Sequence, residues 1–143
     1  MNADAIREYC LKKKGKITEG FPFGEGVLVF KVEGKMFLLM SLDEHPVTMN
    51  VKCDPELAVD LRERYEAVRP GYHMNKTHWN TVVLDGSIPP QELRSMIDHS
   101  YEQIVRGMKK SIVEKLLPNE GPEVEKKKQP SSTRARARTR QPK

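Results

Sequence analysis

The chain has 143 residues, of which 37% are hydrophobic and 31% charged, so its size fits one domain with a modest core and excludes a multi-domain protein. Its longest uninterrupted apolar run covers only residues 36–40, whereas a membrane-spanning helix needs about 20. Two cysteines, Cys10 and Cys53, are too few for a disulfide scaffold or a structural zinc site. Because charged residues interrupt the first ten positions, we expect no signal peptide and predict a cytoplasmic protein without membrane association.

The net charge of +5 is unevenly distributed along the chain. Residues 1–120 hold 17 Lys or Arg and 18 Asp or Glu, a net charge of −1, whereas residues 121–143 hold 8 and 2, a net charge of +6. The basic character therefore belongs to the C-terminal segment. Polyanion binding by the rest of the chain would depend on local patches, because its overall field is close to neutral.

The first half of the chain predicts one helix followed by strands. Residues 3–11 space their apolar side chains three to four apart and follow Asn2, a favourable N-cap, which predicts a short helix. The hydrophobic period then shortens toward two. Glu33 and Gly34 separate two β-rich runs, which is typical of a hairpin because glycine accepts the positive φ of a primed turn. The predicted strands are residues 17–23 at a sheet edge, 27–30, 36–40 and 47–51.

The second half predicts two further helices with strands between them. Asp54 and Pro55 begin a helix that runs to about Glu66, since aspartate caps free amides and proline fits the first turn. Residues 79–84 predict a strand. The pair Pro89-Pro90 begins the last helix, which presents a continuous apolar stripe. The members of this stripe are Leu93, Met96, Ile97, Tyr101, Ile104, Val105 and Met108.

This order of helix, three or four strands, helix, two strands and helix predicts an α+β fold. We expect two layers, an antiparallel sheet and a layer of helices packed on one of its faces, with the other face of the sheet open to solvent or a partner. We place the domain at residues 1–117. Residues 118–143 contain almost no apolar side chains, so we predict a disordered basic tail that cannot bury enough surface to fold alone.

One segment, residues 69–80, concentrates two of the four histidines and the only tryptophan. Together with four other motifs it resembles the MmcQ/YjbR family over roughly residues 1–110. The five motifs, in chain order, are Phe21-Pro-Phe-Gly24, Gly34-Lys-Met-Phe37, Val51-Lys-Cys53, Pro70-Gly-Tyr-His-Met-Asn-Lys-Thr-His-Trp-Asn-Thr-Val83 and Ser100-Tyr101. The resemblance implies a small bacterial α+β domain of secretion-chaperone-like topology, also compared with frataxin, which is cytoplasmic and generally called DNA-binding. It supplies no catalytic residues.

The expected nucleic-acid contacts lie in two hairpin wings of the domain and in the tail. One wing is an exposed ribbon that begins before the strand at residues 79–84 and continues into it, and the other is the Glu33-Gly34 turn. Both could contact nucleic acid, because lysine neutralises phosphate and asparagine can pair bidentately with adenine. A basic stripe across both wings is required if the domain itself contacts phosphate. The candidate residues of the domain are Lys31, Lys35, Arg69, Lys76, His78 and Asn80.

The tail supplies a second set of cations. Alternating arginines in an extended chain project to one side about 6–7 Å apart, a spacing compatible with successive phosphates. The candidate residues of the tail are Lys126, Lys127, Lys128, Arg134, Arg136, Arg138 and Arg140. We expect DNA as the partner, with RNA as an alternative, and a monomeric protein. Acidic protein or an anionic membrane surface would satisfy the same charges.

Other interpretations of the sequence stay open. The protein can instead be a chaperone-like interaction module that uses the open sheet face or an apolar edge formed by Ile112, Val113, Leu116 and Leu117. A small-molecule site around His73, Asn75, His78 and Asn80 is a further hypothesis. Tyr72 and Trp79 can be core anchors rather than contact residues. We predict no enzyme activity, metal site or cofactor, because no nucleophile elbow, phosphate-binding loop or zinc-ligand spacing occurs. Cys53 is expected to be a buried apolar residue.

Overall fold

The computed structural model describes residues 1–72 and 74–118. These residues form α1 (Ala3–Leu11), β1 (Ile17–Gly20), β2 (Val27–Val32), β3 (Lys35–Ser41), β4 (Thr48–Lys52), α2 (Pro55–Arg64), β5 (Val68–Pro70), β6 (Trp79–Val83), α3 (Pro90–Arg106) and α4 (Lys110–Leu116). The chain divides into two units, Met1–Met108 and Lys109–Lys143. Among the described helices, none has the length and apolar character to cross a membrane.

The first unit contains a six-stranded antiparallel sheet in the order β1-β2-β3-β4-β6-β5. This architecture confirms the predicted α+β fold and the predicted order of helices and strands. Several boundaries differ from the prediction by one to three residues. The edge strand ends at Gly20, before Pro22, since proline cannot donate to the ladder. Helix α2 ends at Arg64, and the residues after Gly107 form the separate helix α4.

Local signals in the sequence explain how the elements begin. The side chain of Asn2 accepts a hydrogen bond from the Ala5 amide at 2.9 Å, which caps α1. Asp54 does the same for the first turn of α2, accepting from two amides at 3.2 Å. Between β2 and β3, Glu33 and Gly34 have φ values of 49° and 84°, the two positive angles of a type I′ hairpin turn.

One face of the sheet is covered by α1, α2 and α3. Helix α3 buries the predicted apolar stripe there, including Leu93, Met96, Ile97, Tyr101 and Val105. The cross-strand pairs Phe30–Leu38, Leu38–Val51 and Val51–Asn80 show which strand residues share this covered face.

A bulge in β3 completes the covered core. The pairing between β2 and β3 shifts after Phe30, so that Leu38 pairs with Phe30 whereas Met36 pairs with Lys31. Phe37 is the extra residue, and its ring packs edge-on against Tyr101 of α3 with centroids 5.6 Å apart. The buried Ser100 hydroxyl donates to the Phe37 carbonyl at 2.5 Å and accepts from the Lys52 amide at 2.8 Å. One serine therefore satisfies backbone groups of both β3 and β4.

Candidate nucleic-acid interface

The second face of the sheet carries a basic patch at one end. Along the described strands, the residues that point to this face include three cations and no Asp or Glu. Val29, Leu39 and Thr48 also point to this face, but they are buried and do not contribute to an accessible surface. We define the sheet patch as the following accessible residues of this face: Lys31, Met36, Asn50, Lys52, Arg69, Trp79 and Thr81.

Strand pairing arranges the sheet patch in two adjacent rows. The first row contains the pair Lys31–Met36 on β2 and β3 and the pair Lys52–Trp79 on β4 and β6, both beyond the last β3–β4 pair, Leu38–Val51. The second row contains Asn50, Thr81 and Arg69 on β4, β6 and β5. From Lys31 on β2 to Arg69 on β5 there are four strand steps of about 4.8 Å, so the cations span roughly 19 Å.

Trp79 lies among these cations. It pairs directly with Lys52, and Arg69 is its diagonal neighbour because Arg69 pairs with Thr81. On its other side Trp79 faces Gly71, whose amide donates to the Trp79 carbonyl at 2.9 Å. A Cβ atom at Gly71 would lie 3.0 Å from the Trp79 Cβ and 2.9 Å from its carbonyl oxygen. The close approach of the two backbones therefore requires glycine and leaves no side chain beside the tryptophan.

The loop that precedes Trp79 is fixed by hydrogen bonds to helix α2. The guanidinium of Arg62 donates to the Lys76 carbonyl at 2.5 Å and to the Asn80 side-chain oxygen at 2.7 Å. Asn75 closes the loop itself, accepting the Thr77 amide on its side chain at 2.9 Å and the Trp79 amide on its carbonyl at 2.8 Å. These bonds fix the backbone while the Lys76 and His78 side chains remain exposed.

The charges of the patch are largely uncompensated. The ion pairs among the described residues join Arg7 to Glu19, Lys13 to Asp98 and Arg64 to Asp60, so none uses a cation of the sheet patch. Arg69 lines a surface pocket together with two acidic residues, Glu66 and Asp85. Hydrogen bonds from the hydroxyl and amide of Ser87 lower the pKa of Asp85 below its ordinary value, and the charge of Arg69 adds to this effect.

The residues predicted from sequence fall in three places. Lys31 and Arg69 belong to the sheet patch, whereas Lys35 is exposed beside the hairpin turn and Lys76 and His78 are exposed in the loop before β6. Lys52, which lies between Lys31 and Arg69, was missed. The alternation of Val47, Met49 and Val51 could have indicated it, because Lys52 falls on the opposite face of that strand. The tail residues Lys126, Lys127, Lys128, Arg134, Arg136, Arg138 and Arg140 lie outside the described residues.

The prediction that Asn80 lies in an exposed ribbon is wrong. Only 1% of Asn80 is exposed, because this residue points to the covered face and bonds to Arg62 and, at 3.5 Å, to the Ala58 carbonyl of α2. The interpretation of Tyr72 as a core anchor is also wrong, since 71% of it is exposed. Trp79 is half-buried.

The hypothesis of a small-molecule site near His78 has little geometric support. Asn75 and His78 are exposed, whereas Asn80 is buried on the covered face, so these three side chains do not converge. His73 lies outside the described residues. No group of three or more His, Cys, Asp or Glu able to hold a metal ion occurs within residues 1–72 and 74–118.

A separate cleft of about 140 Å³ lies between α2, α3 and the covered face. Its walls are mainly apolar and include Leu57, Leu61 and Met96, with His99 and Cys53 also present. The imidazole of His99 accepts the Asp54 amide at 3.1 Å, and burial lowers its pKa, which favours the neutral ring. Burial raises the pKa of the Cys53 thiol to about 12, so Cys53 is the buried residue that the sequence predicted and not a thiolate.

These features define a small α+β domain whose antiparallel sheet is covered by helices on one face and carries a basic, aromatic patch on the other. A family model described as YjbR matches residues 11–103. The chain is 35% identical over 105 residues to "Uncharacterized protein YjbR" of Escherichia coli (strain K12), which covers 73% of this chain and 88% of the relative. The chain belongs to the YjbR family, which confirms the family resemblance drawn from the sequence motifs.

Three further comparisons agree. "Uncharacterized protein YbdF" of Escherichia coli O157:H7 is 36% identical over 98 residues, 68% of this chain and 80% of the relative. The crystal structure of Deinococcus radiodurans protein DR2400, from the domain family DUF419, superposes with a TM-score of 0.74 at 34% identity, covering 80% of this chain and 87% of that one. A crystal structure of a protein from Pseudomonas syringae gives a TM-score of 0.60 at 28% identity, covering 70% and 96%.

Proposed function

We propose that this protein binds nucleic acid through its phosphate backbone, using the sheet patch together with the basic C-terminal residues. The observation that carries the proposal is the row in which Lys31, Lys52 and Trp79 follow one another across the sheet, with Arg69 in the next row. Three cations spread over roughly 19 Å without an intervening carboxylate match a ligand with a line of negative charges.

The surroundings of the patch support the same ligand. Lys35, Lys76 and His78 are exposed near the same end of the sheet and would extend the contact along a chain of phosphates. Asn50 and Thr81 supply hydrogen-bonding groups between the cations, and the Thr81 hydroxyl already donates to the Asn50 side chain at 2.6 Å. An acidic protein would need carboxylates placed to match, whereas a flexible polyanion adapts to the spacing.

The tail would add affinity with little sequence preference. Its eight cations between residues 121 and 143 act as a tethered polycation, and contacts of this kind release counterions from the nucleic acid. The contributions of the domain and of the tail to nucleic-acid binding should therefore both decrease as the salt concentration increases.

The test is a salt titration of DNA and RNA binding by the full chain and two triple variants. Lys31→Gln, Lys52→Gln and Arg69→Gln removes the sheet patch. The matched control, Lys12→Gln, Lys14→Gln and Arg94→Gln, removes the same charge from exposed positions in the C-terminal flank of α1 and in α3.

We expect the sheet-patch variant to lower affinity more than the control does. Its slope of log K against log salt should be less steep by about 2 to 3, from roughly 0.7 to 0.9 per phosphate contact. Equal losses in the two variants would show that only net charge matters and would contradict the role of the patch. Absence of binding by the unmodified chain at low salt would contradict the proposed function.

A further inference from the structure

We propose that the sheet patch takes single-stranded nucleic acid and that Trp79 is the surface on which a base stacks. This inference rests on the proposed function and adds the class of nucleic acid and the residue that distinguishes it. The structural feature behind it is the position of the half-buried tryptophan, which lies beside Lys52 and Arg69 and opposite a glycine.

The width of the surface argues against a duplex groove. The patch covers five adjacent strands, roughly 19 Å across, whereas the major groove of B-DNA is about 12 Å wide and admits a helix or a two-stranded ribbon. A flat surface of this width does not fit into the major groove of an undistorted duplex. A single strand has no such restriction, because its bases can turn toward the sheet while its phosphates meet the cations.

The position of Trp79 favours contact with a planar ligand. A tryptophan needed only for core packing would point to the covered face, where Asn80 and Val82 of the same strand lie. Trp79 points instead to the face with Lys52 and Thr81. Gly71, directly after β5, adds no side chain beside Trp79, and part of the tryptophan surface stays exposed.

The neighbouring charges suit a stacked nucleotide. Lys52 lies directly across from Trp79, and Arg69 lies diagonally on the other side, so a base on the ring would have cations on both sides for the flanking phosphates. Every base has a π-face, so stacking of this kind tolerates sequence. Tyr72, 71% exposed in the loop that follows Gly71, offers a second aromatic surface for the next nucleotide.

Because Trp79 is the only tryptophan of the chain, its fluorescence reports on the site directly. The full-length protein is titrated with oligo(dT) and oligo(U) of about 12 nucleotides, near the length that compact single-strand sites cover, and with a DNA hairpin duplex of equal charge. We expect quenching of the fluorescence by the single strands and at least tenfold tighter binding of a single strand than of the duplex. The two single strands distinguish DNA from RNA as the preferred source of the same chemistry.

Two substitutions test the stacking contact. Trp79→Leu should weaken single-strand binding roughly 5- to 150-fold, the range found for loss of base stacking, and should leave duplex binding nearly unchanged. Trp79→Phe keeps an aromatic face and should retain most of the affinity. The melting temperature of each variant is measured, and the titration of the unmodified chain keeps the inference testable if Trp79→Leu fails to fold.

The failures of the two proposals are distinguishable. Equal affinity for duplex and single strand, or a fluorescence that does not change at saturation, would overturn the inference while leaving phosphate binding by the patch intact. Binding to none of the oligonucleotides would overturn both.

Discussion

The contact between Arg62 and Asn80 connects the stability of the domain to the shape of its candidate interface. The guanidinium lies under the loop before β6, where it bonds to the Asn80 side chain at 2.7 Å and to the carbonyls of Lys76 and Trp79 at 2.5 and 3.4 Å. We predict that Asn80→Ala destabilises the protein, whereas the same change at an exposed asparagine usually has little effect on stability.

The magnitude follows from the groups left behind. A hydrogen bond to a charged partner contributes about 1.5–3 kcal/mol to stability. Its loss here leaves a guanidinium N–H of Arg62 without its acceptor at a buried position, since only 1% of Asn80 is exposed. We expect the free energy of unfolding to fall by about 2 kcal/mol. For a domain near 110 residues this corresponds to a decrease in melting temperature of roughly 8 °C.

The assay is a double-mutant cycle by urea denaturation with Asn80→Ala, Arg62→Met and both changes together. We expect a coupling free energy of about 1.5 kcal/mol or more between the two side chains. Arg64→Ala is the control on the same helix, since its exposed ion pair with Asp60 should contribute only about 0.3–0.5 kcal/mol. A coupling below about 0.5 kcal/mol, or a loss of stability no larger than in the control, would refute the structural role of Asn80.

Three further predictions concern the covered face. Ser100→Ala removes two buried backbone contacts and should lower the free energy of unfolding by about 2–4 kcal/mol in urea denaturation, whereas a loss under 1 kcal/mol would contradict its bridging role. Because burial lowers the pKa of His99 in the folded protein, this side chain is protonated at a higher pH in the unfolded state than in the folded state. The free energy of unfolding should therefore fall as the pH drops below about 6.5. His99→Asn should reduce this dependence, and a pH profile equal to that of the unmodified protein would count against the prediction. Since burial raises the pKa of both Cys10 and Cys53 to about 12, iodoacetamide at pH 8 should modify neither thiol until urea unfolds the chain, and mass spectrometry of native samples would reveal any exception.

The fold was predictable because its strongest signals are local. The turn at Glu33 and Gly34 needs two positive φ angles, and the cap at Asp54 needs a side-chain acceptor before a proline, so a few adjacent residues determine each feature. The bulge at Phe37 was not predictable, since it depends on the Ser100 hydroxyl and the Tyr101 ring, more than 60 residues away.

The candidate site was only partly predictable because its face assignment depends on tertiary contacts. In β6 the residues Trp79, Thr81 and Val83 alternate with Asn80 and Val82, and both sets contain apolar and polar members. The hydrophobic pattern alone cannot decide which set faces the core. The bonds of Asn80 to α2 decide it, and the same choice places Trp79 in the basic patch.

Strand β6 therefore divides two roles between alternate residues of one short motif. A change at Asn80 or Val82 acts on the covered core, whereas a change at Trp79 or Thr81 acts on the sheet patch, although all four are neighbours in the sequence. The two effects are joined at Arg62, because this one side chain holds both the buried Asn80 and the carbonyls of the loop that leads to Trp79. Loss of that contact should therefore weaken the fold and also disturb the geometry of the patch, while substitutions in the patch should change nucleic-acid binding without a matching loss of stability.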